Sequence, residues 1–245
     1  MERYKRQISM PQIGTEGQKL LEKSTVAVVG AGGLGAPVLT YLAAAGVGNI
    51  RIIDKDTVEE SNLNRQFLYG PEDIGRKKAE AAKEKLEKQN PQIKVTAVSE
   101  EFTEENGREL FKDADVIIDC VDSIKTRMAV NKICLLNQIP LVEGGIYGFY
   151  GFVTTVFKDS PCLSCMGYTK EMEQKEIPSL GAAAGVIGSI QAVEGLKILL
   201  GKGEPFYGRI LQYDGLSGSF DEIMVEKKKD CSLHKAAEME FFKND

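Results

Sequence analysis

At 245 residues, with 42% apolar residues, 27% charged residues and a net charge of −5, the chain can bury a sizeable core and reads as an ordinary globule. The acidic balance offers no basic face for nucleic acid, no apolar run reads as long enough to span a bilayer, and the opening "MERYKRQ" lacks an apolar signal core; no nucleic acid and no membrane are expected as partners. Five cysteines, an odd and low number for this length, argue against a disulfide framework and point to a cytoplasmic protein.

The first 24 residues are polar and mixed, with a short helix expected in "TEGQKLLEKS". "TVAVVG" (25–30) is a continuous apolar run stopped by a glycine, as in a strand buried on both faces. "AGGLGAPVLTYLAAAGVG" follows as a small-residue helix ending in glycines suited to a C-cap. "NIRIID" (49–54) is a second strand ending in an acid. "RKKAEAAKEKLEKQNP" is a helix with an Ala/Leu stripe, stopped by its "NP". "KVTAVSE" is a third strand. "TEENGRELF" is a short helix opened by Thr103. "ADVIIDCVD" and "IPLVEGG" are further strands either side of the helix "SIKTRMAVNKICLLNQ". This alternation predicts an α/β, Rossmann-like, doubly wound and mostly parallel sheet.

The pattern then changes. "FYGFVTTVF" (149–157) reads as an antiparallel strand, "GVIGSIQAVEGLKILLG" as a helix, and "GRILQYDGLSGSFDEIMVEKK" as two strands around a Gly-rich turn. An antiparallel extension of the same sheet is expected. The end of the chain reads as a charged tail with little to pack. The whole of 1–245 is expected to be one domain. It would comprise a helical arm at 1–24, a nucleotide-binding half at 25–148 and an antiparallel extension at 149–245.

"VVGAGGLG" places Gly30, Gly32, Gly33 and Gly35 between a strand and a helix. Glycines there let backbone approach a phosphate, and the helix N-terminus turns N–H groups toward it. Asp54 ends the next strand about 20 residues on, where a carboxylate can hold ribose hydroxyls. A tight strand–helix turn without ligand is the plainer alternative. The motif alone would also suit a nicotinamide oxidoreductase, but the single histidine lies in the tail and no catalytic acid for hydride transfer stands out.

The next stretch, "DKDTVEESNLNRQFLYGPEDIGRKKAE", crowds Ser61, Asn62, Asn64, Arg65 and Gln66 together and places Lys78 at the start of a helix. Amides with an Arg fork and a compact Lys charge suit a polyphosphate. Singly, the amides could form turns, Arg65 a surface ion pair and Lys78 a solvated charge. Asp122, beyond the carboxyl end of the fourth parallel strand, stands where open α/β sheets bind ligands. It could hold magnesium beside phosphates or cap the next helix. "PCLSC" and "CSLH" put Cys162 with Cys165, and Cys231 with His234, at the same C-x2-C/H spacing. Two such pairs make a closed tetrahedral zinc site.

Taken together, "RYKRQ", "VVGAGGLG", "YLAAAGVG", "DKDTVEESNLNRQ", "DIGRKK", "DCVD", "PCLSC" and "GVIGSIQAVEGLK" resemble the ubiquitin-activating (E1-like) superfamily, in its MoeB/ThiF/HesA branch, over most of the chain. The resemblance implies ATP-dependent adenylation of the C-terminal glycine of a ubiquitin-like β-grasp sulfur carrier ending in Gly-Gly, with release of pyrophosphate. It implies that Gly33 and Asp54 hold the nucleotide and that Ser61 to Arg65 line the triphosphate path. Lys78 would contact ATP, and Asp122 would coordinate Mg2+. Arg6 would reach the partner's γ-phosphate across a homodimer interface, and two Cys pairs would bind structural Zn2+. Two departures stand out: Ser123 replaces the usual Asn, and His234 the last Cys. Residues 166–184 carry none of the nucleophilic cysteines of some relatives, and Cys120 and Cys134 read as core. Adenylation without an enzyme-bound thioester is therefore expected, as in the molybdopterin-synthase adenylyltransferase type. The alternatives are activation of a peptide or of a protein-modifying ubiquitin-like partner, and an ATP-binding scaffold without turnover.

Overall fold

The computed structural model describes residues 2–169 and 177–241. Eight strands form one sheet in the order β3-β2-β1-β4-β5-β6-β7-β8. The parallel part comprises β1 (Thr25–Val29), β2 (Asn49–Ile53), β3 (Lys94–Val98), β4 (Val116–Asp119) and β5 (Leu141–Tyr147). Three strands continue it antiparallel: β6 (Tyr150–Val156), β7 (Arg209–Asp214) and β8 (Ser219–Met224). This is the expected doubly wound sheet with its extension. The helices are α1 (Lys5–Ile8), α2 (Gly14–Lys23), α3 (Gly35–Ala45), α4 (Lys78–Gln89), α5 (Glu104–Leu110), α6 (Ile124–Asn137), α7 (Gly181–Leu200) and α8 (Ser232–Phe241).

Strand alternation divides the core into two layers. Val26 and Val28 pack with Leu39 and Leu42 of α3, Leu86 of α4 and Ile187 of α7. Ala27 and Val29 face the other way, onto Phe102, Phe111 beyond α5, and Val130 and Ile133 of α6. Apolar residues on both faces are what a covered parallel sheet requires. Thr103 caps α5 through its hydroxyl, as its sequence position suggests. Gly46 closes α3 in the left-handed conformation with φ +83°, a geometry that favours glycine.

Two elements differ from expectation. α7 begins at Gly181, four residues before the expected start, because 182–184 is an alanine run with high helix propensity but no amphipathic stripe to announce it. By length and composition α7 could cross a bilayer, contrary to the reading of the sequence. In this fold it is a core helix packed on α3, β5 and β6, and it buries Gln191 and Glu194. The tail is also not a bare charged segment. α8 lays Leu233 and Ala237 against the second core layer and packs on α6.

Candidate functional site

Strand order reverses between β1 and β4, so their following loops diverge to opposite faces and leave a crevice. A cavity of about 1190 Å³ opens there. Gly30, at φ +93°, begins the loop after β1. A Cβ at this position would lie 2.7 Å from the Cys120 carbonyl oxygen, so glycine is what lets the two strand ends close together. Gly32 and Gly33 line the cavity, and their hypothetical Cβ atoms meet nothing nearer than 3.4 Å. The backbone there is open to a ligand. Gly35 is different: it is buried, it does not line the cavity, and its Cβ would lie 2.3 Å from the Gly30 carbonyl. Its role is to let α3 start hard against the loop.

Asp54 braces this loop. Its Oδ2 accepts from Ala31 N at 2.7 Å and its Oδ1 from Asp56 N at 2.8 Å. Burial pushes its carboxyl up, while those N–H groups and the Lys78 charge pull it down. Tyr69 ties the segments together by donating to the Ala31 carbonyl at 2.8 Å, with the Lys78 carbonyl at 3.3 Å.

The polar stretch after β2 folds into short turns that divide its residues. Asn62 is buried and structural: its Oδ1 accepts from Glu59 N, and its carbonyl takes the N–H groups of Arg65 and Gln66. Ser61 is exposed, and its carbonyl accepts from Arg65 Nη1 at 2.9 Å. Neither lines the cavity. Asn64, Arg65, Gln66 and Lys78 do. Asn64 Oδ1 also takes Arg65 Nη1 at 2.9 Å. Gln66 Oε1 is buried with no hydrogen-bond partner among the described residues, an acceptor that needs one. Lys78 is buried and pairs with Asp56 at 3.1 Å. The loop leading into α4 is anchored by the fully buried Asp73, which accepts from Gly70 N and holds Arg76 and Lys85.

Asp122 is exposed and lines the opposite wall beside Ser123. The cap of α6 is Ser123, whose hydroxyl accepts from Thr126 N at 3.3 Å; Asp122 is thus not the residue that caps it. Arg6, on α1, is exposed and does not line the cavity of its own chain. The arm is pinned by Tyr4, whose hydroxyl accepts from Asn90 Nδ2 at 2.8 Å.

Sequence reasoning missed three buried charges under this wall. Asp119, Arg127 and Glu143 sit together, with Arg127 ion-paired to Glu143. Burial pushes the Asp119 carboxyl up to about 6, against the pull of Arg127. The one available signal was an arginine just before the apolar run 128–130. Also unannounced in the sequence is the aromatic wall of Tyr147, Tyr150, Phe152 and Tyr168, which lines the same cavity.

The predicted metal ligands come together as well. Cys162, Cys165, Cys231 and His234 are buried, with their ligand atoms all within 4.8 Å of one another. Cys162 Sγ lies 3.8 Å from Cys165 Sγ and 3.6 Å from Cys231 Sγ. A tetrahedron with metal–sulfur bonds of about 2.3 Å has edges of about 3.8 Å, so the thiols match zinc. His234 Nε2 is buried with no hydrogen-bond partner among the described residues. The Lys228 N–H points to Cys165 Sγ at 3.4 Å. Burial pushes Cys162 up to about 12. In Cys231 burial acts the same way but is overcome by hydrogen bonds from the His234 backbone and the Cys162 thiol, which hold it low. Cys120 and Cys134 are buried, and burial raises both thiols well above their ordinary value. Of the segment 166–184, residues 170–176 lie outside the described residues.

Fold and cavity define the class of doubly wound α/β proteins that take a ligand at a topological switch point. The chain belongs to the ThiF family, whose profile matches residues 4–233; it is a member of the E1-like superfamily in its MoeB/ThiF branch. It is 41% identical to the "Sulfur carrier protein adenylyltransferase" of Thermus thermophilus, over 95% of this chain and 90% of that one. It is 40% identical to the "SAMP-activating enzyme E1" of Haloferax volcanii, over 95% and 88% respectively. Among solved structures, E. coli MccB with ATP superposes with a TM-score of 0.82 at 22% identity, covering 95% of this chain and 73% of that one. That likeness concerns the fold.

Proposed function

We propose that this chain adenylates the C-terminal glycine of a ubiquitin-like β-grasp sulfur carrier, using ATP and Mg2+ and releasing pyrophosphate, without an enzyme-bound thioester. The observation that carries this reading is the meeting of Arg65, Lys78 and Asp122 around one cavity with the open Gly32–Gly33 backbone. The identity to an enzyme named for sulfur carrier adenylylation supports it.

ATP supplies the α-phosphorus that a carboxylate oxygen attacks; the new P–O bond forms as the bond to pyrophosphate breaks, and no proton need move. The chain's part is positioning and electrostatics. Asp54 stands to accept from ribose hydroxyls. The backbone of Gly32 and Gly33 faces the phosphates. Arg65 supplies its fork, and Lys78 exchanges Asp56 for phosphate oxygen. Asp122 is the carboxylate that would hold Mg2+, which would offset phosphate charge. The aromatic wall from Tyr147 to Phe152 suits an extended tail, and glycines at its end would fit a terminal Gly-Gly. Arg6 would act on a partner's site in a homodimer. Cys162, Cys165, Cys231 and His234 would hold Zn2+. Five cysteines with no disulfide among the described residues favour a reducing, cytoplasmic setting.

A second reading, activation of a protein-modifying ubiquitin-like partner, is favoured by the identity to the SAMP-activating enzyme; the chemistry would be the same. ATP–pyrophosphate exchange tests the proposal. Exchange should need a β-grasp carrier ending in Gly-Gly and should vanish when that terminus is trimmed. Exchange that is indifferent to every such carrier, in protein that binds ATP, would contradict it.

A further inference from the structure

The peptide just before Asp122 is gripped from both ends. The Val121 N–H donates to Asp119 Oδ1 at 2.9 Å, and the Val121 carbonyl accepts from Arg127 Nη2 at 2.7 Å. The other arm of the same guanidinium, Nη1, donates to the Gly144 carbonyl of β5 at 3.0 Å and ion-pairs with Glu143. Arg127 thereby bridges the loop after β4 to the neighbouring strand. All three charged groups are buried, the two carboxylates completely.

Two buried carboxylates around one guanidinium are a poor device for stability alone, because well-packed apolar side chains of similar volume commonly do as well. What the cluster supplies is geometry. A guanidinium presents donors in a fixed fork, and here the fork spans two backbone carbonyls and a carboxylate. Both terminal nitrogens of the guanidinium hold protein acceptors. It lines the cavity, its guanidinium carbon 6.0 Å from the centre of the Phe152 ring.

We propose that Arg127 is a positioning residue for a divalent cation: with Asp119 it clamps the Val121 peptide and so fixes where the Asp122 carboxylate stands, with Glu143 as its buried counter-ion. This rests on the proposed metal-holding role of Asp122. Groups that orient a metal ligand typically change metal affinity 10- to 100-fold when altered. An ammonium cannot span the two carbonyls and the carboxylate at once, so Arg127→Lys keeps the charge and loses the clamp.

The test uses Mn2+ as the probe, followed by electron paramagnetic resonance, with the full chain and a non-hydrolysable ATP analogue. AMP affinity without metal and thermal melting are measured in parallel. Arg127→Lys is expected to weaken Mn2+ binding by roughly 10- to 100-fold while AMP affinity is unchanged. Glu143→Gln, which keeps shape and an acceptor, should shift Mn2+ affinity in the same direction by less, and it carries the test if Arg127→Lys fails to fold. Wild-type Mn2+ affinity in either folded variant would overturn the clamp. So would an equal loss of AMP and Mn2+ binding, which is the mark of a loosened fold. Asp122→Ala separates the two ideas: if it keeps wild-type Mn2+ affinity, the role given to Asp122 falls first, and the clamp with it.

Discussion

Asp122→Ala is expected to lower carrier-dependent ATP–pyrophosphate exchange by roughly 10³-fold, about 4 kcal/mol of transition-state stabilisation. Adenylation brings a carboxylate against a triphosphate, so like charge gathers at one phosphorus as the new bond forms. A cation held at that point lowers the barrier by several kcal/mol, and Asp122 is the exposed carboxylate facing the cavity from the end of β4. The variant should fold normally. Ser123 caps α6, and the clamp on Val121 uses backbone, Asp119 and Arg127; the substitution therefore removes chemistry and little structure. Exchange rates beside melting temperatures check this. A folded Asp122→Ala protein that exchanges at the wild-type rate would refute the assignment.

Stripping metal from the Cys162–Cys165–Cys231–His234 site is expected to lower the melting temperature by about 10–20 °C, from a loss of about 5 kcal/mol at roughly 2–4 °C per kcal/mol for a chain of this size. Three of the four ligands belong to the second core layer. Without a metal, the site holds three buried thiols and a buried ring nitrogen with no partner. A metal bound there would staple α8 to the loop that contains Cys162. That loop is held in turn to α6 where Asn131 Oδ1 accepts from Leu163 N at 3.2 Å. Cys162→Ser should reproduce the effect of chelation. Scanning fluorimetry with a colorimetric zinc assay reads both. Protein purified without chelator that contains no zinc yet melts at the same temperature would rule the site out as a staple.

Most of the sheet was legible from local pattern. "TVAVV" and "VIID" are apolar on both faces because helices cover both sides, and the turn glycines sit where backbone must come close. The Cys/His cluster was legible because the spacing of each pair is local, although their meeting is not. α8 was not, because among the described residues its apolar contacts with the core are Leu233 and Ala237, too few to show as a stripe. The division of labour within "SNLNRQ" was also hidden: only the turns show that Asn62 builds the loop while Asn64, Arg65 and Gln66 face the cavity. The Asp119–Arg127–Glu143 cluster joins two strands and a helix, so no window of sequence holds it. Arg127 reads locally as an ordinary helix charge, and Glu143 as an acid in a strand.

Adenylation without an enzyme-bound thioester is tested by intact-mass spectrometry of enzyme and carrier after incubation with ATP and Mg2+, without a sulfur donor. The expected result is a carrier heavier by one adenylyl group and an enzyme of unchanged mass. A carrier linked to the enzyme through a thiol-sensitive bond, or a carrier left unmodified while ATP is bound, would contradict it.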